Sequence, residues 1–412
     1  MSDIESNQEG KERENKGALQ DIHILDIGSG VAGPFMATLL ADFGAEVIKV
    51  EDPDKGDWLR HLVPRFKDIG LWWLADGRNK KAITLKLTAP KGQEILKKMV
   101  PWADIVVENY RPGTLERWNL GYEVLCELNP GIILVRCSGF GQEGPYRNRL
   151  AYDRIGQAFS GIVYRTGFPD SPPSFAGLSI ADYSTAAFAA MGALIALHYR
   201  DTVGQGQGQV IDACLYESIL RMYEGYVALY DQQGIIGERA GNVRPFAMPG
   251  GLFTTEDGKQ VLITIVEDHQ FAYLAEAMGR SDLARDPPFQ TREGRAEHNE
   301  FLNAILSEWV ASKSVKELMD ISEKYRFPLA PIYSAKDIVE DEHYRQRGSV
   351  VEVEHPALGK VKMQGVTPKL SLTPGRVKYP GRDMGQDTED VLSRMLGYSR
   401  QEIAELRAEQ II

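Results

Sequence analysis

Residues 22–51 alternate short apolar runs with a glycine turn and an amphipathic stretch: IHILDI, GSGVAGP, FMATLLADFG, then AEVIKVE. Short apolar runs bounded by glycine predict buried strands, and helical spacing between them predicts a helix, so this segment reads as a βαβ unit. The alternation then repeats. ITLKL predicts a strand, APKGQEILKKMV an amphipathic helix and DIVVE the next strand, while GIILVRC adds another after the helical stretch holding TLERWNL and YEVLCEL. Such alternation builds a parallel sheet with helices on both faces, and these sheets take ligands at the carboxyl ends of their strands.

Downstream the pattern changes. DACLYESILRMYEGYVALY predicts long helices and GGLFTTEDGKQVLITIVED a hairpin, with further helices around 271–278 and 301–310. The reading is a large domain over 18–225, a smaller α+β domain over 226–330 and a C-terminal segment, 331–412, that returns to the large domain. Within that last segment SVVEVEHPALGKVKMQG predicts a second hairpin, and Ser399 with Glu402 a capping box for the final helix. Residues 1–17 are polar, lack the apolar core of a secretory leader and read as a flexible tail.

Composition acts mainly by exclusion. With 58 acidic against 47 basic residues and a formal net charge of −11, the chain has the wrong balance for a nucleic-acid-binding surface. A small molecule is the expected partner. Cys126, Cys137 and Cys214 are far apart and without CxxC spacing, and the seven histidines include no HExxH pair, so neither a disulfide framework nor a metal site is expected. The uncharged run of about fifteen residues after Asp182 is shorter than the ~18–20 residues of a bilayer span. A cytoplasmic location away from membranes follows as the expectation.

Two stretches carry candidate chemistry. Gly28, Gly30 and Gly33 fit GxGxxG between a strand and a helix, and Glu51 ends the next strand about twenty residues on, which makes an NAD-dependent oxidoreductase one reading. Pro34 weighs against it, since proline opening the helix offers no N–H to a pyrophosphate, and no histidine–carboxylate pair suited to hydride transfer follows. The second stretch is AGLSIADYSTAAFAAMGALIAL, in which Asp182 stands ahead of an apolar helix. Aspartate is a favoured N-cap and suits the positive end of a helix dipole, yet a helix start also presents a side chain to a crevice, so capping and chemistry are compatible. Asp170, set among Pro169, Pro172 and Pro173, reads as part of a rigid turn.

Taken in series, LDIGSGVAGP with GAEVIKVE, VENYRPGTLERWNLGYEVLCELNP, SGFGQEGPY, AYDRIGQAFSG and GLSIADY resemble blocks of the class III CoA-transferases, in family order and over nearly the whole chain after the tail. That family includes formyl-CoA transferase, carnitine CoA-transferase and the α-methylacyl-CoA racemases. The resemblance implies an α/β fold with a Rossmann-like parallel sheet in the large domain, a smaller α+β domain, and an interlocked, ring-like dimer. It implies no permanently bound cofactor, with coenzyme A or acyl-CoA and a carboxylic acid as substrates. The partner is then a second copy, or a paralogous subunit beside which this chain would be active or a non-catalytic scaffold.

By the same resemblance Asp182 is the nucleophile. A carboxylate with an ordinary pKa near 3.9 is ionised at neutral pH and attacks a thioester without a base, giving a mixed anhydride and then an aspartyl-CoA thioester. Contacts to CoA are implied at Val31, Ala32, Leu85, Lys86, Leu87, Thr88, Asn109, Tyr110, Arg111, Arg117, Tyr152 and Asp153. Formyl-CoA transferases carry an arginine after the strand that here ends in Glu51, whereas this chain has Asp52, so phosphate recognition is expected to fall to Lys55 or Lys49. Met248, Pro249, Gly250 and Gly251 stand where the family has a glycine-rich loop that closes over the intermediate. The racemases carry a histidine at the position of Tyr152, and a phenol with an ordinary pKa near 10 is a poor base, so transfer is expected and racemisation is not. AYDRIGQAFSG and LYESILRMYEGYVALYDQQG look closer to the carnitine CoA-transferase branch, whose relatives include succinyl-CoA-dependent activators of aromatic or dicarboxylic acids. The expected acceptor is therefore larger than formate or oxalate, with Trp72, Trp73, Tyr223 and Tyr226 as candidate lining.

Overall fold

The computed structural model describes residues 17–244 and 247–412, so the expected tail lies, apart from Gly17, outside the described residues. Two compact units are formed. The first takes in residues 17–162, 175–228 and 342–412, and the second 163–174 and 229–341.

In the first unit, strands β1 (His23–Asp26), β2 (Glu46–Glu51), β3 (Lys80–Thr84), β4 (Ile105–Glu108), β5 (Ile133–Ser138) and β6 (Val210–Cys214) form one sheet in the order β3-β2-β1-β4-β5-β6. Every neighbouring pair is parallel. This is the doubly wound order, with its switch point between β1 and β4. The period of two along each strand divides the core: Ile24, Ile105, Val107, Ile133 and Val135 face one cluster, while Leu25, Val106 and Leu134 face the other.

Among the helices that flank this sheet and its carboxyl edge are α1 (Ala32–Ala41), α2 (Pro90–Met99), α3 (Tyr122–Leu128), α4 (Asp153–Phe159) and α5 (Ile180–Thr202). On one face α1 and α5 pack together through Met36, Ala37 and Leu40 against Ala186, Ala189, Ala193 and Ala196. Small side chains let the two backbones come close. The other face is covered by α2 and α3, through Ile95, Leu96, Met99 and Leu125, and by the C-terminal helices Thr388–Leu396 and Arg400–Ala408. The last of these begins with the expected capping box of Ser399 and Glu402.

At 23 residues α5 is longer than the uncharged run, because it starts before Asp182 and continues past Arg200. By length and composition it reaches the size of a membrane span, but its alanine face is buried in the core of this unit. The sequence reading also differs at β6. Val210–Cys214 is a strand rather than the start of a long helix, since β-branched Val210 and Ile211 pair with Leu134 and Val135.

The second unit holds a three-stranded antiparallel sheet of β7 (Gly250–Thr254), β8 (Gln260–Thr264) and β9 (Leu329–Pro331), in the order β9-β8-β7. Helices Asp268–Ala277, Asn299–Ala311 and Val315–Tyr325 pack with it around Val261, Ile263, Leu274 and Leu306. Two segments expected elsewhere belong to this unit. Residues 163–174 are tied in by Arg239, which donates to Tyr164 O at 3.0 Å, and by Gly241 N–H to Gly167 O at 2.9 Å. Residues 331–341 begin at the last residue of β9, which pairs with β8.

Candidate active site

The turn after β1 is held from below by buried charge. Asp26, Lys49, Lys80 and Asp57 are all essentially inaccessible, with Lys49 Nζ 3.0 Å from Asp57 and 3.4 Å from Asp26, and Lys80 Nζ 2.9 Å from Asp26. Lys49 also donates to Gly28 O, and Lys80 to Pro34 O at 2.6 Å. The N–H groups of the turn are engaged as well. Gly28 donates to Asp26 Oδ1 (3.2 Å), Ser29 to Asn109 Oδ1 (2.8 Å), and Gly30 to both oxygens of Asp57 (3.0 Å each). Gly30 needs its glycine, having φ +83° and Trp58 Nε1 only 2.2 Å from where a Cβ would sit.

Beyond this turn a cleft of about 610 Å³ opens at the carboxyl ends of β1, β4 and β5. Its walls include Val31 and Ala32 from the start of α1, Asn109 and Tyr110 after β4, Cys137 to Gly139 at the end of β5, Tyr152 and Asp153 at the start of α4, and Asp182. This is where a doubly wound sheet is expected to bind ligands.

Asp182 is not the N-cap of its helix. Ser179 occupies that place, and Asp182 lies in the first turn with its main chain capped from another helix. Asp153 Oδ1 accepts the N–H groups of Ala181 (2.8 Å) and Asp182 (3.3 Å), while Oδ2 accepts from Gln157 Nε2 (2.6 Å). Burial, followed by the like charge of Asp153, pushes the Asp182 carboxyl up from about 3.8 to about 7. Among the described residues none hydrogen-bonds that carboxyl group. The expectation of an ordinary, fully ionised carboxylate is thereby corrected: at neutral pH the unliganded group is divided between its two forms.

Residues 19–388 match CoA-transferase family III. The chain belongs to that family. It is 45% identical over 398 residues to a succinyl-CoA–D-citramalate CoA-transferase of Chloroflexus aurantiacus, covering 96% of this chain and 98% of that one. It is 39% identical over 398 residues to the beta subunit of a succinyl-CoA–L-malate CoA-transferase of the same organism, at the same coverages. Among solved structures, a CAIB/BAIF family protein from Brucella suis superposes with a TM-score of 0.83 at 28% identity, covering 92% of this chain and 100% of the other.

As a family III CoA-transferase the chain is an enzyme acting on CoA thioesters, and the oxidoreductase reading of GSGVAG is set aside. The two groups that a dinucleotide would use are occupied internally. Asp57 sits on the Gly30 N–H, and Glu51, rather than facing a ribose, pairs with Arg60 through contacts of 2.6 and 2.7 Å. Among the described residues no histidine lines the cleft, and Tyr152 stands there at the position expected to carry one in the racemases.

The expected CoA contacts divide into groups. Val31, Ala32, Asn109, Tyr110, Tyr152 and Asp153 line the cleft with Asp182, whereas Leu85, Leu87 and Thr88 line a second one of about 220 Å³ that shares Ser29 and Tyr110 with the first. Several polar groups in the first set are used within the fold. Asn109 exchanges two hydrogen bonds with the Ser29 backbone, and Tyr110 donates to Ile27 O at 2.8 Å. Lys86, Arg111 and Arg117 line neither cleft; Lys86 pairs with Asp54 (2.9 Å) and Arg117 donates to Thr114 (2.9 Å). Both lysines expected to serve the phosphates line the second cleft; Lys49 is buried and paired with Asp26 and Asp57, whereas Lys55 is exposed.

Two further expectations are corrected. Gly250 and Gly251 are not in a loop but in β7, paired with Thr264 and Ile263, with the Gly250 N–H donating to Asn303 (3.2 Å). None of Trp72, Trp73, Tyr223 and Tyr226 lines the cleft of Asp182. Trp73 is buried under Arg60, and Trp72 is committed to Asp76 (2.7 Å) and Tyr183 (2.9 Å). Sequence reasoning missed Asp57 and Trp58. Their signal was the GD pair five and six residues after Glu51, since aspartate before a short turn is a capping pattern.

Proposed function

We propose that this enzyme moves CoA from succinyl-CoA to a dicarboxylic acid of the citramalate or malate type through an aspartyl-CoA thioester on Asp182. One observation carries the reading. Among the described residues two carboxylates line the cleft; Asp153 spends both oxygens on the first turn of α5 and on Gln157, which leaves Asp182 as the carboxylate available to a substrate.

In the first step a carboxylate oxygen of Asp182 attacks the thioester carbonyl of succinyl-CoA, the C–S bond breaks, and CoA thiolate departs from a succinyl-aspartyl anhydride. The thiolate then attacks the Asp182 carbonyl carbon, the anhydride C–O bond breaks, and succinate leaves an aspartyl-CoA thioester. The acceptor carboxylate repeats both steps in reverse and restores free Asp182. Burial helps, because a poorly solvated carboxylate is the better nucleophile once ionised and water is kept from the anhydride. Val31 and Ala32 open α1 beside it, and a helix start favours the negative charge that develops on the carbonyl oxygen. The thioester arm runs toward Leu85, Leu87 and Thr88, with Lys55 near its phosphates.

The substrates named for the two Chloroflexus relatives support succinyl-CoA as donor and a four- or five-carbon dicarboxylate as acceptor, ahead of betaine-like or aryl acids. The exposed row of Met191, Leu194 and Ile195 on α5 supports assembly into an interlocked homodimer, and the buried alanine face of the same helix supports its being a core helix rather than a membrane span. A relative named as a beta subunit favours the second arrangement, a heteromer with a paralogous chain. The native mass of the purified chain separates these. For the reaction, a panel of acids assayed with succinyl-CoA should give its highest kcat/KM with citramalate or malate; activity confined to formate and oxalate would contradict the proposal.

A further inference from the structure

We infer that Asp57 is a positioning residue: an internal anion seated where a glycine-rich turn would otherwise take a phosphate, holding that turn and Trp58 in the shape that forms the thioester cleft. The turn between β1 and α1 sends its successive N–H groups to three separate acceptors, Gly28 to Asp26, Ser29 to Asn109 and Gly30 to Asp57, so each is satisfied from within the fold. Gly30 supplies the left-handed residue that such a turn requires, with φ +83°. In place of an external anion, the Asp57 carboxylate lies end-on over the Gly30 N–H, both oxygens at 3.0 Å.

The carboxylate is held as firmly as it holds. Oδ1 accepts the Leu59 N–H at 2.9 Å, capping the short turn Trp58–His61, and Oδ2 pairs with Lys49 at 3.0 Å. Its backbone N–H is fixed by Glu51 Oε2 at 2.8 Å, and Glu51 is gripped by Arg60. Lys49 returns to the turn by donating to Gly28 O. One buried charge therefore governs two parts of the cleft wall. Through Gly30 it sets Ser29, Val31 and Ala32, and through the chain it sets Trp58, whose indole lies against Gly30 and lines the same cleft. Both parts bear on bound thioester, so losing the charge should weaken substrate and transition-state binding together, raising KM with little change in kcat.

The test replaces the anion. Asp57→Ala leaves the space of a carboxylate beside Gly30 and Lys49, and formate fits that space. Thermal unfolding of the full chain is followed in sodium formate and in sodium chloride of equal ionic strength; where Asp57→Ala is unfolded at the outset, refolding yield in the two salts is read instead. Formate should raise the midpoint of Asp57→Ala by about 3 °C or more over chloride, or raise its yield, and leave the natural protein unmoved. Equal behaviour of Asp57→Ala in both salts would overturn the inference. Asp57→Asn keeps the shape without the charge, and it should raise the KM for succinyl-CoA roughly tenfold at a temperature well below its midpoint, with kcat within about threefold. An unchanged KM in a folded Asp57→Asn would equally overturn it. The salt comparison involves no thioester, so its outcome is independent of the proposed transfer reaction.

Discussion

Asp153 and Asp182 are two carboxylates from different helices joined through main chain, with Asp153 Oδ1 2.8 Å from the Ala181 N–H and 3.3 Å from that of Asp182. The contact has two opposed effects. It fixes the first turn of α5, and it sets a negative charge beside the carboxyl group that must ionise to react. Burial and that charge together bring Asp182 to about 7. Acylation by succinyl-CoA should therefore rise with pH through about 7, measured as single-turnover release of the first product. Asp153→Asn keeps an oxygen to accept the two N–H groups but removes the charge, so the rise should move roughly half a unit to one unit lower. A profile unmoved by this substitution would show that Asp153 exerts no charge effect on Asp182.

The same shift makes a stability prediction of definite sign. The folded pKa of Asp182 lies above its unfolded value, so the folded state holds the proton more tightly. Stability from this group is complete below about pH 4 and is lost as pH rises through about 7. Asp182→Asn, which cannot ionise, should gain on the natural protein over that window and be more stable above pH 7 by on the order of 2 kcal/mol, after allowing for the partial exposure of the group. Urea unfolding at pH 5 and pH 8 checks this, and an advantage larger at pH 5 would contradict it.

Lys49→Met removes the cation shared by Asp26 and Asp57 while keeping much of the side-chain volume. Two buried carboxylates would be left with Lys80 alone, which contacts only Asp26. A loss of about 3–5 kcal/mol is expected from denaturant unfolding. A change below about 1 kcal/mol would mean that the two carboxylates are not both charged in the folded protein.

The expected topology was legible because β1 and β2 are short runs set off by glycine turns, and β4 is a short apolar run along which every residue is buried. Asp182 was legible as a lone carboxylate entering an apolar helix, but its cap was not. Asp153 reaches it from 29 positions away, and local spacing holds no record of such a contact. The glycine fingerprint misled for a related reason. GSGVAG describes a backbone shape, and what fills that shape here is Asp57, 27 residues from Gly30. Strand β6 was hidden because an edge strand is fixed by its partner, and the helical residues after Cys214 masked it.

Tyr183 follows Asp182 on α5 and donates to the buried Asp76 carboxylate at 2.9 Å, beside the Trp72 indole that donates to the same oxygen at 2.7 Å. Tyr183→Phe should cost about 1–2 kcal/mol by leaving that oxygen one donor short. In a double-mutant cycle with Asp76→Ala the two losses should not fully add, since both substitutions remove the contact between Tyr183 and Asp76. Full additivity would mean that the hydroxyl and the carboxylate do not interact.

The most direct measurement concerns the covalent intermediate. The enzyme is incubated with succinyl-CoA without acceptor, treated with hydroxylamine or borohydride, digested, and its peptides weighed. Asp182 should carry the hydroxamate, or the alcohol formed by reduction, and Asp182→Ala should show neither adduct nor transfer. An unmodified Asp182 peptide, together with transfer retained by Asp182→Ala, would contradict the assignment of Asp182 as the nucleophile.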